Sequence, residues 1–317
     1  MLKVNDRWGE PTVFFFERDS RKNENAERLM TCCGFFRALR KMRLTTMVKC
    51  TIIQMVQQTI KEKDMKRKNV QSKEEKEFLE QYDVSQFERP SVTADIVIFT
   101  LDSADNLNIL LIKRGGFPYK DCWAIPGGFL EAGKESIDET AARELKTETN
   151  IDNVYLKQLY TFGDLGRDPR TTVISVAYTA LVPKHMLDIK AGDDAKEAKL
   201  FAIRYDVNGI IFTNEDTVIT ENDLAFDHAE IIKMAITRLR NRIDYEDDAF
   251  NLLKNKEEFT ISELKRIHET IKNRTLDLPN FRKTFLRDYV STGKVIDLNK
   301  TETSKGKPAR LYKYLER

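Results

Sequence analysis

Between about residues 91 and 225 the apolar residues fall into short β-branched runs. "TADIVIFTL" and "NILLIKR" read as two strands joined by the turn "DSADN". "VYLKQLYTFG" and "TTVISVAYTALV" give two more around the loop "DLGRDPR", and "AKLFAIRYD" adds another. Helical spacing falls at 136–149 and at 227–243, where Ile231, Ala235, Leu239 and Ile243 form one stripe. Asp227 followed by Glu230 predicts an N-terminal capping pair for the second of these helices. Strands dominate, with one helix among them and one at the end. That pattern predicts an α/β sandwich with a mixed sheet.

Beyond about Tyr245 the period changes. "FTISELKRIHETIKNR" opens on the capping pair Thr260 and Glu263 and places Ile261, Leu264, Ile267, His268 and Ile271 on one side. "LPNFRKTFLRDYV" follows as a second helix, with Pro279 suited to its first turn. "KVIDLNK" and "ARLYKYLE" then form a hairpin around "TETSKGKP". Two helices and a basic hairpin are the pattern of a winged helix-turn-helix. The chain thus divides into an extension over 1–75, a sandwich domain over 80–225, a connecting helix over 226–244 and a winged-helix domain over 245–317.

Residues 1–75 fit neither pattern. The stretch 35–68 mixes apolar and basic residues at helical spacing and ends in a charge run, so an appended helix or a loose extension is expected. A membrane-surface or nucleic-acid helix is the other reading of a basic amphipathic stretch, and translation could also begin at Met65. The net charge of +2 over 317 residues selects no partner. Cys32, Cys33, Cys50 and Cys122 match no metal-ligand spacing and read as reduced, packed thiols. No apolar run approaches the roughly 20 residues of a membrane span, and no signal peptide is visible, so the expected location is the cytoplasm, away from membranes.

The chemistry concentrates in "WAIPGGFLEAGKESIDETAARELKTETNI", Trp123 to Ile151. Ser136 and Glu139 form a capping box, so a helix begins at Ile137, and Ile137, Ala141 and Leu145 can face a sheet. Glu144 and Glu148 stack one turn apart on another face, where two like charges repel unless something is held between them. Carboxylates on adjacent turns are hard oxygen ligands for Mg²⁺, Arg143 can orient one of them, and Gly127 and Gly128 let backbone approach a ligand closely.

From Gly128 to Ile151 these residues resemble the Nudix signature, with Glu135, Arg143, Glu144, Leu145, Glu148 and Ile151 in register. The resemblance implies a Nudix α/β/α sandwich and hydrolysis of a nucleoside diphosphate linked to another moiety. In that chemistry water attacks phosphorus while divalent cations, Mg²⁺ or Mn²⁺, held by Glu144 and Glu148 offset the developing charge. Glu135, Arg143, Glu144 and Glu148 are the implied catalytic set. Three departures stand out: six residues rather than five separate Gly128 from Glu135, with Lys134 extra; Thr147 replaces a glutamate; and Asn150 replaces a glycine. Asn tolerates the left-handed conformation that ends a helix, so that change is mild. Trp123 and Phe129 read as core, and His228 as a helix-surface residue.

"GDLGRDPRTTVISVAY" is similar to a loop and strand of ADP-ribose-type Nudix proteins. Arg167 and Arg170 then supply forked phosphate donors, and Asp168 a ribose partner. Asp193, Asp194 and Glu197 are candidates for a further catalytic acid, with a solvated acidic loop the alternative. A Nudix domain followed by a winged helix resembles a subgroup of ADP-ribose pyrophosphatase-like proteins and ADP-ribose-sensing repressors, which implies a homodimer and double-stranded DNA as a partner. Residues 261–317 hold 14 Lys/Arg against 7 Asp/Glu. Arg282, Lys283 and Arg287 on the second helix, with Lys305, Lys307 and Arg310 around the wing, suit phosphate contacts; a packing role for the winged helix is the alternative. Two functions remain open, a Mg²⁺-dependent pyrophosphohydrolase of ADP-ribose or a similar nucleoside diphosphate sugar, favoured by the sequence alone, and an ADP-ribose-sensing DNA-binding regulator.

Overall fold

A computed structural model of the chain describes residues 3–5, 11–13, 72–151, 154–189, 195–207, 209–302 and 308–316. The chain divides into two compact units, 1–86 and 87–317. In the first, β1 (Lys3–Asn5) pairs antiparallel with β2 (Pro11–Val13). Its helix α1 (Lys73–Gln81) opens on a Ser72–Glu75 capping box. The basic stretch over 35–68 lies outside the described residues.

The second unit is built on a nine-stranded mixed sheet. Its strands are β3 (Ser91–Leu101), β4 (Leu107–Arg114), β5 (Trp123–Ala124), β6 (Gly127–Phe129), β7 (Leu156–Phe162), β8 (Val173–Leu181), β9 (Ala195–Asp206), β10 (Gly209–Asn214) and β11 (Thr217–Thr220). The main order is β11-β10-β9-β4-β3-β8-β7; β3 and β8 run parallel, while the other main pairs are antiparallel. The hairpin β10–β11 carries no clear alternating signal in "GIIFTNEDTVIT" and was not predicted. Strand β3 changes partner along its length, pairing with β4 over 99–101 and with β6 over 93–95. The sheet therefore opens where the two glycines of β6 lie.

Two helices cover this sheet. The two-residue period of β3 sends Ala94, Ile96 and Ile98 to one face, packed with Ala141 and Leu145 of α2 (Ile137–Thr149). It sends Val97 and Phe99 to the other, against Ile231, Ala235, Ile236 and Leu239 of α3 (His228–Arg242). The sandwich is α/β/α, as predicted. Asp227 precedes α3 but makes no capping bond, contrary to expectation, because its carboxylate is held elsewhere.

The winged-helix unit comprises β12 (Phe259–Thr260), α4 (Ile261–Lys272), α5 (Leu278–Phe285), a single π-helical turn over Leu286–Val290, and the hairpin β13 (Val295–Glu302) with β14 (Ala309–Tyr314). Thr260 and Glu263 form the expected capping box, and Pro279 sits in the first turn of α5. One apolar core runs without a break from Phe99 and Phe201 through Ile231 and Leu239 to Phe250, Leu264, Phe285 and Tyr312. The connecting helix α3 is thus shared packing for both halves.

Candidate functional site

A cleft of about 620 Å³ opens beside β6, between α2, the 164–170 loop and the start of α3. Its floor is fixed by glycines. A Cβ on Gly127 would come within 2.6 Å of the Ala94 carbonyl oxygen, and one on Gly128 would collide with the Glu144 carboxylate. A side chain at position 127 would run into backbone, whereas one at 128 would have to displace the Glu144 carboxylate.

Arg143 organises the acidic side. Its Nε and Nη2 donate to Glu135 at 3.0 and 2.8 Å, Nη2 also reaches the Phe129 carbonyl at 3.1 Å, and Nη1 donates to Glu144. Glu135 further accepts from Glu131 N at 3.1 Å and Thr140 Oγ1 at 2.8 Å. The Arg143 guanidinium holds the Glu135 carboxyl well below the usual range, at about 2. Glu144 moves the opposite way, pushed up by burial and by the nearby Glu135 and Asp95 charges, with Arg143 opposing. Glu148 is buried one turn further along, and the Thr147 hydroxyl turns back to the Arg143 carbonyl at 3.0 Å. Asn150 ends the helix at φ 54°, the left-handed conformation expected of it.

Two carboxylates one turn apart, one raised by its neighbours, have chemistry a divalent cation would relieve. Yet among the described residues no three His, Cys, Asp or Glu side chains converge as a metal-holding group. Asp193 and Asp194 lie outside the described residues, and Glu197 pairs with Lys199 at 2.7 Å.

The arginines of the 164–170 loop have separate fates. Arg167, expected to offer its donors to a ligand, is 5% exposed and binds Asp227 through Nε at 2.8 Å and Nη2 at 2.6 Å. Its Nη2 also lies 3.8 Å from buried Asp95, which accepts from Ser175. Arg167 thus lines the cleft as a mostly buried, ion-paired cation, and its claim on Asp227 explains the missing helix cap. Arg170 is 44% exposed and pairs through Nε and Nη2 with buried Asp168 at 3.0 and 2.7 Å. Asp168, expected as a ribose partner, is occupied in orienting Arg170.

The other corrections concern aromatic rings. Phe129 is 46% exposed, not core, and Arg170 lies over its ring at 5.4 Å and over that of Phe226 at 5.9 Å. Phe226, held at φ 52°, also meets Tyr119 edge-on at 4.7 Å and Arg114 at 4.9 Å. Exposed Phe117 completes this rim. His228 is buried, not on the helix surface; burial lowers its pKa, and its neutral Nδ1 accepts from Ile125 N at 3.1 Å, pinning the strand before the glycines. Sequence reasoning missed Asp95, Phe226 and Phe117. Only Asp95 left a signal, as the one carboxylate inside the apolar run "TADIVIFTL".

At the other end of the unit, Arg282 and Lys283 are exposed on α5, and no ion pair holds them among the described residues. Arg287 is paired with Asp288 at 2.6 Å and Arg310 with Asp297 at 2.7 Å. Lys305 and Lys307 lie outside the described residues. No helix among the described residues is long and apolar enough to cross a membrane.

Comparison with known proteins matches residues 90–205 to the NUDIX domain and 249–314 to the NrtR DNA-binding winged helix domain. The chain is 32% identical over 241 residues to an ADPR responsive transcriptional repressor NtrR of Acinetobacter baylyi, covering 76% of this chain and 88% of that one. It is 40% identical over 144 residues to an ADP-ribose pyrophosphatase of Methanocaldococcus jannaschii, covering 45% of this chain and 72% of the relative. Among solved structures, a MutT/nudix family protein from Enterococcus faecalis aligns with TM-score 0.65 at 29% identity, over 81% of this chain and 98% of that one. Shewanella oneidensis NrtR complexed with a 27mer DNA aligns with TM-score 0.56 at 29% identity, over 71% and 93% of the two chains.

Proposed function

Because the chain belongs to the Nudix family, in the branch that carries an NrtR-type winged helix, we propose that it binds ADP-ribose or a related nucleoside diphosphate sugar in the Nudix cleft and thereby alters the grip of its winged helix on duplex DNA. The observation that carries this reading is the single apolar core joining sheet, α3 and winged helix. A change in the cleft that moves the start of α3, where Asp227 and His228 are anchored, is transmitted through close packing rather than across a flexible linker. Both relatives named for ADP-ribose support the ligand class. Phe129 and Phe226 offer faces on which a base can stack, and Arg170, oriented by Asp168, keeps Nη1 for a phosphate oxygen. A homodimer would present two α5 helices to half-sites one helical turn apart.

The test is binding of the full chain to duplex from upstream of its own gene, with and without ADP-ribose. A coupling of about 1–3 kcal/mol, or roughly 5- to 150-fold in affinity, is expected. Duplex binding no tighter than to random DNA, or binding indifferent to ADP-ribose, overturns the proposal.

Hydrolysis is the second reading, favoured by the Glu135–Arg143–Glu144 array and by the likeness to a pyrophosphatase. The sequence alone leans toward it. The regulator is put first for the apolar core that links the cleft to the winged helix, and Thr147 supplies no carboxylate to the site. If hydrolysis occurs with Mg²⁺ or Mn²⁺, Glu148→Gln should abolish most ADP-ribose turnover; equal turnover in parent and variant would remove Glu148 from the reaction.

A further inference from the structure

A second cleft has no role in that reading. About 880 Å³ in volume, it lies between the β3–β4 turn, β9, the C-terminal half of α3, α4 and the turn that joins α4 to α5. Its walls are knit together: the Thr270 hydroxyl donates to the Asp105 carbonyl at 2.7 Å, and Arg240 Nε donates to the Ile271 carbonyl at 3.0 Å. The Arg240 guanidinium also lies over the Tyr205 ring at 4.7 Å. It is thus a formed groove shared by both domains.

Its charge is one-sided. Arg204, Arg240, Lys265, Arg266 and Arg274 line it against only Asp105 and Glu269. Glu269 is taken by Lys265 at 2.6 Å, and Asp105 stands 3.8 Å from Arg266. Arg204 and Arg274 are exposed and, among the described residues, have no acidic partner. Unpaired arginines that converge from two domains repel one another until an anion sits between them. The position indicates which anion. Arg274 lies four residues before α5 begins, on the turn between the two helices of the winged-helix unit. When the second helix of such a unit enters a groove, the first helix crosses the sugar–phosphate backbone beside it.

We propose that this inter-domain cleft is a second contact with duplex DNA, in which Arg204 of the Nudix sheet and Arg274 of the α4–α5 turn each take a backbone phosphate. The proposal rests on the reading that α5 binds duplex, and it deepens that reading. A strand of the ligand-binding domain itself touches the DNA, so a ligand-driven shift of the sheet against the winged helix changes the spacing of two phosphate contacts directly.

The test uses the full chain, a labelled duplex from upstream of its own gene, and a series of salt concentrations. Each phosphate contact steepens the fall of log affinity with log salt by about 0.9. Arg204→Ala and Arg274→Ala should each flatten the slope by about that amount. Over a fourfold rise in salt the parent should then lose about tenfold more affinity than the double variant. Arg204→Lys, which keeps the charge, should hold the parental slope. Melting temperature and ADP-ribose affinity should not change in any of the three. A double variant with the parental slope overturns the cleft contact while leaving the α5 reading intact. Loss of ADP-ribose affinity in the double variant overturns it in favour of a nucleotide site. A parent that binds no duplex removes both readings together.

Discussion

The Nudix cleft and the face of α5 proposed to meet DNA use the same residue types in opposite ways. In the cleft the charged groups are held: Arg143 by Glu135 and Glu144, Arg167 by Asp227, Arg170 by Asp168. On the winged helix Arg282 and Lys283 project from α5 without an acidic partner among the described residues, as does Arg274 before it. The difference follows from the ligand each side is proposed to meet. A small diphosphate must be bound in one orientation, so its donors are positioned in advance by second partners. A duplex offers a row of phosphates at fixed spacing and tolerates mobile cations that exchange counterions for contacts. The buried polar groups differ as well: His228 in the cleft accepts a backbone hydrogen bond, whereas neither ring nitrogen of buried His268 in α4 makes a hydrogen bond among the described residues, Asp244 lying 3.8 Å from Nδ1.

The comparison breaks most visibly at Arg167. Removing a cation that is 5% exposed leaves Asp227 without its ion pair and Asp95 without the nearby positive charge. Arg167→Ala should therefore cost about 3–5 kcal/mol in urea unfolding. Arg167→Met combined with Asp227→Leu removes both members of the main pair and should recover much of that loss, because the desolvation cost goes with the charges. If Arg167→Ala unfolds at the parental urea concentration, the pair contributes nothing and the cleft is not prebuilt in the way described.

The second test lies in the winged helix and works through pH. Burial pushes His268 down to about 4; Asp244, at 3.8 Å, opposes this, and Lys272 adds to it. Phe281 meets the ring edge-on at 5.1 Å. The unfolded chain holds its imidazole near the usual 6.5 and so takes up the proton first. Stability is complete above about pH 6.5 and is lost as pH falls toward 4, at up to about 1.4 kcal/mol per pH unit. His228 is also lowered by burial and adds in the same direction, so the parent alone cannot assign the effect. The difference between parent and His268→Phe does. Between pH 6.5 and pH 5 it should amount to about 1.6 kcal/mol, with the variant the less sensitive. Equal pH dependence would mean that water reaches the ring.

These contrasts also show what the sequence could and could not reveal. Repeating signals were legible: the β-branched runs, the capping boxes that open three α-helices among the described residues, over 72–75, 136–139 and 260–263, two of which were read in advance, and the stripe on α3. The spacing of Glu135, Arg143, Glu144 and Glu148 likewise placed four side chains beside one helix before any coordinates. What could not be read were choices of partner between distant segments. Asp227 has two possible uses, capping α3 or pairing with Arg167 sixty residues earlier, and local spacing reveals only the first. Phe129 looks apolar and therefore core, but its strand ends at the open part of the sheet, where no layer covers it. Arg167 and Arg170 are equivalent in a string of letters; only the fold turns one inward and the other out.

That last pair gives the smallest and most discriminating prediction. Arg170 is 44% exposed, so its ion pair with Asp168 is screened and its loss should move the unfolding midpoint little. Its proposed contribution is to ligand, as a charge-assisted donor beside two rings. Arg170→Ala should weaken ADP-ribose binding about tenfold, or roughly 1.4 kcal/mol, as measured by calorimetry. Arg170→Lys tests the geometry further. It keeps the charge but gives up the planar fork that Asp168 orients and the flat face that lies over Phe129 and Phe226. If the cleft recognises its ligand through prepositioned donors, lysine should recover less than half of the lost binding energy. Full recovery by lysine would show that charge alone suffices there, and the contrast between a positioned cleft and the unpaired cations of α5 would disappear at the residue chosen to represent it.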